Sequence, residues 1–264
     1  MTKIKLWISD IDGTIMNYDG SFTQEMKNLI TKINSSNVKF VLATGRMFDG
    51  AYHEAKKFNI KTPLVCYQGA IVRTDKEVLW QSLLDNKIAK EIIKYFKEKN
   101  IHTHVYNNDV LYVDDDNKEL MHSYCNGRGT NYTVVDSLLD IELCSVPKIL
   151  AVIEDKVQME EIKNELRQKY KGKLTIVQSS PIYLEINNIN ASKGYALTFL
   201  KKYWNIKTEE ILASGDQDND IELLKNAGIK VCVGNNSKKL AEISDYKCKN
   251  VDSNELVELV EKFL

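Results

Sequence analysis

The chain has 264 residues, 43% of them hydrophobic, enough to bury one large domain or two smaller ones. Its 36 lysines and arginines nearly balance 37 aspartates and glutamates, so a net charge of −1 gives no support for a nucleic-acid or acidic-membrane partner. Five scattered cysteines without a C-x-x-C pair argue against a zinc site or a disulfide framework. The N-terminus carries no apolar signal segment and no stretch is long enough to span a bilayer, so a reducing cytoplasm is the expected setting.

Taken in order, residues 4–8 read as a buried strand of a parallel sheet, interrupted by Lys5 and ending in Asp10-Ile11-Asp12-Gly13-Thr14. Side chains alternate along a strand, so Asp10 and Asp12 can share a face at its carboxyl end, where open α/β sheets bind ligands. Two adjacent carboxylates repel each other, and a hard divalent cation such as Mg²⁺ relieves that repulsion. The plainer reading is a polar turn after a strand.

Thr23 can cap a helix whose apolar face is Met26, Leu29, Ile30 and Ile33. Residues 38–43 form the next strand, ending in Thr44-Gly45-Arg46. A helix then carries Phe48, Ala51, Tyr52, Ala55 and Phe58, followed by a strand over 63–67, a turn at Gln68-Gly69, and a hairpin over 70–72 and 78–80. This β-α-β-α-β rhythm predicts a parallel sheet.

The rhythm changes near Ser82. A helix over 86–99 precedes two strands, 102–106 and 110–113. Residues 118–126 read as a helix broken by Gly127, Arg128 and Gly129. A strand over 148–154, a helix marked by Met159, Ile162, Leu166 and Tyr170, and a strand pair over 174–178 and 182–186 complete an α+β insert. From Ser192 the α/β rhythm returns, with a helix carrying Ala196, Phe199, Leu200 and Tyr203. A strand over 211–214 ends in Gly215-Asp216-Gln217-Asp218-Asn219-Asp220. A short helix with Ile221 and Leu224, a strand over 229–233, and a last helix packing Leu256, Leu259, Val260 and Phe263 follow.

Four polar clusters thus fall at strand ends or helix starts. Thr44-Gly45 offers a hydroxyl and backbone N–H groups suited to a phosphate oxygen, or merely a helix cap. Lys193 sits at a helix start against the helix dipole, which suits a bound anion, although a solvated lysine is commoner. Asp216 can complete a cation's ligands and Asn219 can bond a substrate or a neighbour, unless the stretch is only an Asx-rich turn. Together the parts fit phosphoryl transfer: a carboxylate to attack phosphorus, a second to move protons, a cation and fixed donors.

In this order the four motifs resemble those of the haloacid dehalogenase-like superfamily, and the insert resembles the type-IIB (C2B) cap of its Cof-type phosphatases. The resemblance covers essentially the whole chain. It implies a Rossmann-like α/β core, residues 1–82 and 188–264, with an inserted α+β cap domain, residues 83–187. It implies that Asp10 is the nucleophile with one oxygen on Mg²⁺, that Asp12 is the acid/base with its carbonyl on the metal, and that Asp216 is the third ligand. Asp220 is then a partner holding metal waters or Lys193, while Thr44, Gly45, Lys193 and Asn219 bind phosphate. The expected activity is hydrolysis of small organic phosphate esters: sugar phosphates, pyridoxal phosphate or nucleotide-like compounds. The insert is expected to act as a lid.

Three departures from the family pattern concern the substrate more than the reaction. Gln68 stands where Asn is usual, Asn236 where a small residue is usual, and Ser253-Asn254-Glu255-Leu256 replaces Asp-Gly-Val. His102, His104 and His122 have no metal-site spacing and are expected to be ordinary surface or half-buried histidines. Two other functions are compatible with the motifs: a phosphomutase of the phosphomannomutase kind, and a phospho-accepting regulator without turnover.

Overall fold

The computed structural model describes residues 3–125 and 130–264. The chain divides into two compact units, Met1–Trp80 with Ser192–Leu264, and Gln81–Ala191.

In the first unit the chain runs β1 (Leu6–Ser9), α1 (Gln24–Asn34), β2 (Lys39–Leu42), α2 (Phe48–Lys57), β3 (Leu64–Cys66), β4 (Ile71–Arg73) and β5 (Val78–Gln81). The second unit holds α3 (Asn86–Glu98), β6 (His102–Asn107), β7 (Val110–Val113), α4 (Lys118–Cys125), β8 (Tyr132–Val134), β9 (Ile149–Val152), α5 (Lys156–Lys169), β10 (Leu174–Gln178) and β11 (Tyr183–Asn188). The first unit then resumes with α6 (Lys193–Trp204), β12 (Ile211–Gly215), α7 (Ile221–Lys225), β13 (Ile229–Val233), α8 (Lys238–Ile243), β14 (Tyr246–Cys248) and α9 (Glu255–Glu261).

The core sheet has the order β14-β13-β12-β1-β2, and every pairing in it is parallel. A parallel bridge from Ala43 to Val65 brings β3 alongside, and β3, β4 and β5 form a small sheet of their own. β1 is buried along its whole length because helices cover both faces of such a sheet. Lys5 does not interrupt it: the strand starts one residue later, and the lysine is exposed, paired with Glu210 at 2.7 Å. Thr23 caps α1 by accepting from Met26 N at 3.2 Å, and the four expected apolar residues are the buried ones. Trp7 and Phe40 stack across β1 and β2 with ring centroids 4.3 Å apart, a contact worth about 0.5–1.5 kcal/mol beyond the area it buries.

A buried polar relay fixes the strand ends beneath the site. Trp7 Nε1 donates to Ser214 Oγ (2.9 Å), Ser214 Oγ donates to Ser9 Oγ (2.8 Å), and Ser9 Oγ donates to the Asp10 carbonyl (2.7 Å). Ser214→Ala orphans the indole N–H and breaks the relay, so it should cost about 1–3 kcal/mol of stability, read as a lower urea midpoint.

The second unit is a six-stranded sheet, order β10-β11-β9-β6-β7-β8, antiparallel except for β7 beside β8. α3 and α5 cover one face, where Ile92, Phe96, Met159 and Leu166 pack with Val105, Ile149, Ala151 and Leu184. Asp85 and Asp155 cap these two helices. The expected end of α4 at Asn126 and the break over 127–129 lie outside the described residues.

Several expectations differ from what is seen. Phe58, expected on α2, lies past its end, although Phe48 begins the helix as expected, after a Met47 cap that makes no side-chain bond. Tyr203, expected on the packed side of α6, is 54% exposed. His104 is fully buried rather than at the surface: its ring lies 4.5 Å from Tyr124 and 5.0 Å from His102, on the sheet face opposite Val105. β8, α8 and β14 carry too few apolar residues to announce themselves; β8 is largely exposed and β14 is a short edge strand.

Candidate active site

β1 delivers Asp10 to the carboxyl end of the sheet, between the ends of β2 and β12, and Asp10 N donates to the Ser214 carbonyl at 3.0 Å. Beyond it the chain turns at once. The Ile11 carbonyl accepts from Thr14, Ile15 and Met16, and Gly13 takes φ +81°, which L side chains rarely adopt. A Cβ on Gly13 would stand 2.5 Å from both Asp216 Oδ2 and Tyr18 Oη, so the turn needs glycine on two counts.

Asp10, Asp216 and Asp220 are all buried, and one carboxylate oxygen from each lies within 4.8 Å of the other two. Lys193, the first residue of α6 after its Ser192 cap, has no exposed surface. Its Nζ bonds Asp10 Oδ1 and Asp220 Oδ1, both at 2.6 Å. The lysine therefore faces anions, as its place against the helix dipole suggested, but here they are two carboxylates of the same chain. Burial alone would discharge it; Asp10 and Asp220 override that and hold its pKa above the ordinary lysine value.

Lys193 supplies one positive charge against three carboxylates. Burial pushes the Asp10 carboxyl well above the usual range, helped by the charges of Asp220 and Asp216 and opposed by Lys193. Burial likewise raises Asp216, with Asp220 adding to it, while bonds from Tyr18 and Asn236 pull the other way. A compact set of oxygen donors that lacks compensating charge fits a hard divalent cation. Because protons compete for these oxygens at a higher pH than for ordinary carboxylates, Mg²⁺ affinity should fall between pH 7 and pH 5. Calorimetric titration at the two pH values checks this; unchanged affinity would contradict it.

Asp216 follows β12 and is held from three sides. Tyr18 Oη donates to Oδ2 at 2.7 Å, Asn236 Nδ2 donates to Oδ2 at 3.0 Å, and Thr14 Oγ1 donates to Oδ1 at 3.4 Å. The Tyr18 hydroxyl is pushed up to about 12 by burial and by its bond to Asp216. Asp220 Oδ2 accepts from the backbone N–H groups of Asp216 and Gln217, at 3.1 and 3.2 Å. One oxygen thus shapes the loop while the other holds Lys193.

Asp12 lies outside this cluster. Its partly exposed carboxylate is gripped by Arg46, whose Nη2 donates to Oδ1 at 2.6 Å and Nε to Oδ2 at 2.9 Å; Nη1 reaches Glu54 at 3.4 Å. Sequence reading placed Arg46 in the second motif without a role, and the buried Glu54 was missed. A charged residue inside an otherwise apolar helix face was the available signal for Glu54. Thr44 is buried, and its Oγ1 accepts from Arg46 N at 3.2 Å. It therefore shapes the turn before α2 rather than capping that helix. Asn219 Nδ2 donates to Gln68 Oε1 at 2.9 Å.

The buried strand-tip carboxylates and their lysine stand on a parallel α/β sheet, and the family model for haloacid dehalogenase-like hydrolases matches residues 7–259. The chain belongs to that superfamily, as a Cof-type phosphatase. It is 25% identical to the 5-amino-6-(5-phospho-D-ribitylamino)uracil phosphatase YwtE of Bacillus subtilis, covering 97% of this chain and 96% of the relative. Among solved structures it resembles TM0651 of Thermotoga maritima, with TM-score 0.87, 30% identity, and 99% and 97% of the two chains covered. A haloacid dehalogenase-like hydrolase from Bacteroides thetaiotaomicron shares the fold at TM-score 0.90 and 23% identity, over 99% and 100% of the two chains. Among the described residues no helix is long and apolar enough to cross a membrane.

Proposed function

We propose that the chain is a Mg²⁺-dependent phosphatase of small organic phosphate monoesters that works through an aspartyl-phosphate on Asp10. The observation that carries this reading is the buried Asp10 carboxylate, held by Lys193 at 2.6 Å, beside Asp216 and Asp220. Asp10, Asp216 and the Asp12 backbone would hold the cation, which when bound offsets negative charge on the phosphoryl oxygens.

An Asp10 oxygen attacks phosphorus, the bond to the ester oxygen breaks, and its electron pair leaves on the alkoxide. The Asp12 carboxyl gives that alkoxide a proton. Asp12 then takes a proton from water, the water oxygen attacks phosphorus, and the bond to Asp10 breaks, restoring its carboxylate and releasing phosphate. Lys193 keeps the attacking oxygen oriented, and Thr44, Gly45, Lys193 and Asn219 bind the phosphoryl group. Arg46 bonds both oxygens of Asp12 and leaves each a further lone pair, so it holds the carboxyl in place while that group gives and takes its proton. The inserted residues 83–187 select the substrate; exchanging them for a relative's insert should change which ester is preferred.

The relative's substrate, as named, contains a phosphoribityl group, a sugar-alcohol phosphate, so such esters belong in a panel with sugar phosphates and pyridoxal phosphate. Multiple turnovers of phosphate release, lost with EDTA and restored by Mg²⁺, are the expected result. Equal release without metal contradicts the reading. An isomerised ester with little free phosphate points instead to a mutase, and no turnover on any ester points to a regulator.

A further inference from the structure

We propose that the Gln68 carboxamide is an additional phosphate-binding group of this site; the inference rests on the phosphatase reading above. Gln68 stands in a short 3₁₀ turn, Tyr67–Gly69, at the end of β3. Tyr67, Gln68 and Gly69 all have positive φ, at 52°, 59° and 95°. Two consecutive non-glycine residues in the left-handed region are held there by their surroundings.

Those surroundings are three of the four polar clusters. Tyr67 N donates to the Arg46 carbonyl (2.9 Å) and Gln68 N to the Thr44 carbonyl (3.1 Å). A Cβ on Gly69 would collide with the backbone of Ser192 and Lys193, so the turn is seated directly on the start of α6. The Gln68 side chain crosses to the loop after β12, where its Oε1 accepts from Asn219 Nδ2 at 2.9 Å. Its Nε2 lies 2.5 Å from where a Cβ on Gly45 would stand, so Gly45 leaves the space the amide fills.

Gln68 therefore spans the interval between Gly45 and Asn219, two of the residues assigned to the phosphoryl group. The bond from Asn219 fixes the plane of the carboxamide. With its oxygen anchored, the NH₂ end is turned away from Asn219 and toward Gly45. An oriented amide donor at a phosphate site adds a hydrogen bond to a charged acceptor, the stronger kind. An asparagine here is one methylene shorter, so its amide would span less of the interval between Asn219 and Gly45.

The test compares wild type, Gln68→Leu and Gln68→Asn. Affinity for inorganic phosphate is measured by calorimetry with Mg²⁺, together with KM and kcat on an aryl phosphate and the thermal midpoint. Gln68→Leu keeps the size and the backbone demand but removes both polar atoms. It should weaken phosphate binding and kcat/KM by about tenfold or more, with the thermal midpoint near wild type. Gln68→Asn should fall between the two. Wild-type phosphate affinity in Gln68→Leu overturns the proposal, as does a loss accounted for by a lowered midpoint and shared by every ligand tested. A wild type that binds no phosphate overturns it as well. A wild type that binds phosphate but turns over no ester defeats the phosphatase reading instead, while the phosphate affinities of the variants still decide the role of Gln68.

Discussion

Asp10→Asn should abolish turnover, with kcat falling on the order of 10⁴-fold or more, while the metal-free protein remains at least as stable as wild type. The amide has the shape of the carboxylate but no nucleophilic oxygen, and removing the nucleophile of a covalent mechanism costs about as much as removing the whole catalytic set. The stability half follows from linkage. Burial and the neighbouring carboxylates raise the Asp10 pKa in the folded state, so the fold binds that proton better than the unfolded chain does. This contribution to stability is complete below the unfolded pKa and is lost as pH rises through the folded value. At neutral pH the wild-type carboxylate therefore weakens the metal-free fold, and the neutral amide does not. Thermal unfolding with EDTA, set beside the activity assay, reads both halves. A variant that is inactive because it is unfolded would contradict the argument. So would a stable variant that is fully active.

Lys193→Met should be the most destabilising single change at this site. Lys193 lies between Asp10 and Asp220 with no exposed surface, and its loss leaves three buried carboxylates without their organic cation. Breaking a buried ion pair from one side costs about 3–5 kcal/mol. Added Mg²⁺ should recover part of that loss by binding the folded state, and Lys193→Met with Asp220→Asn should recover more, because the second change removes one orphaned charge. Activity should fall about 10²–10³-fold in both variants, the scale for losing one preorganised electrostatic group. Urea titrations with and without Mg²⁺ supply the measurement. A Lys193→Met protein as stable as wild type in EDTA would show that the carboxylates are not held as charges.

The parts of the fold that were legible in the sequence are those with strong periodic or terminal signals. β1, β12 and β13 announced themselves as apolar runs, and α1 by a capping threonine three to ten residues ahead of the residues of its buried face. β8 and β14 did not, since a three-residue edge strand with exposed side chains has no pattern to read. Whether Thr44 capped α2 or met a phosphate oxygen was open from the sequence; its hydroxyl serves Arg46 N in the turn before the helix.

At the site, the acids at strand ends and the lysine at a helix start were visible as residue types that sit badly where they are without a partner. The links between them were not. Arg46 on Asp12 spans 34 positions, Asn236 on Asp216 spans 20, Tyr18 on Asp216 spans 198, and Asn219 on Gln68 spans 151. Side-chain reach across such separations is set by loop geometry, which periodicity does not encode. Gln68 and Asn236 were noticed only as departures from a family pattern, and both prove to bond residues of the site.

The covalent step is tested most directly by acid-quenching Asp12→Asn during turnover of an aryl phosphate, then mapping the phosphoryl group by peptide mass spectrometry. An aryl leaving group needs no proton from Asp12, while release of the intermediate needs Asp12 as base, so phosphate should accumulate on Asp10. A protein that turns over the ester yet carries no phosphoryl group on Asp10, or carries it elsewhere, would contradict the account.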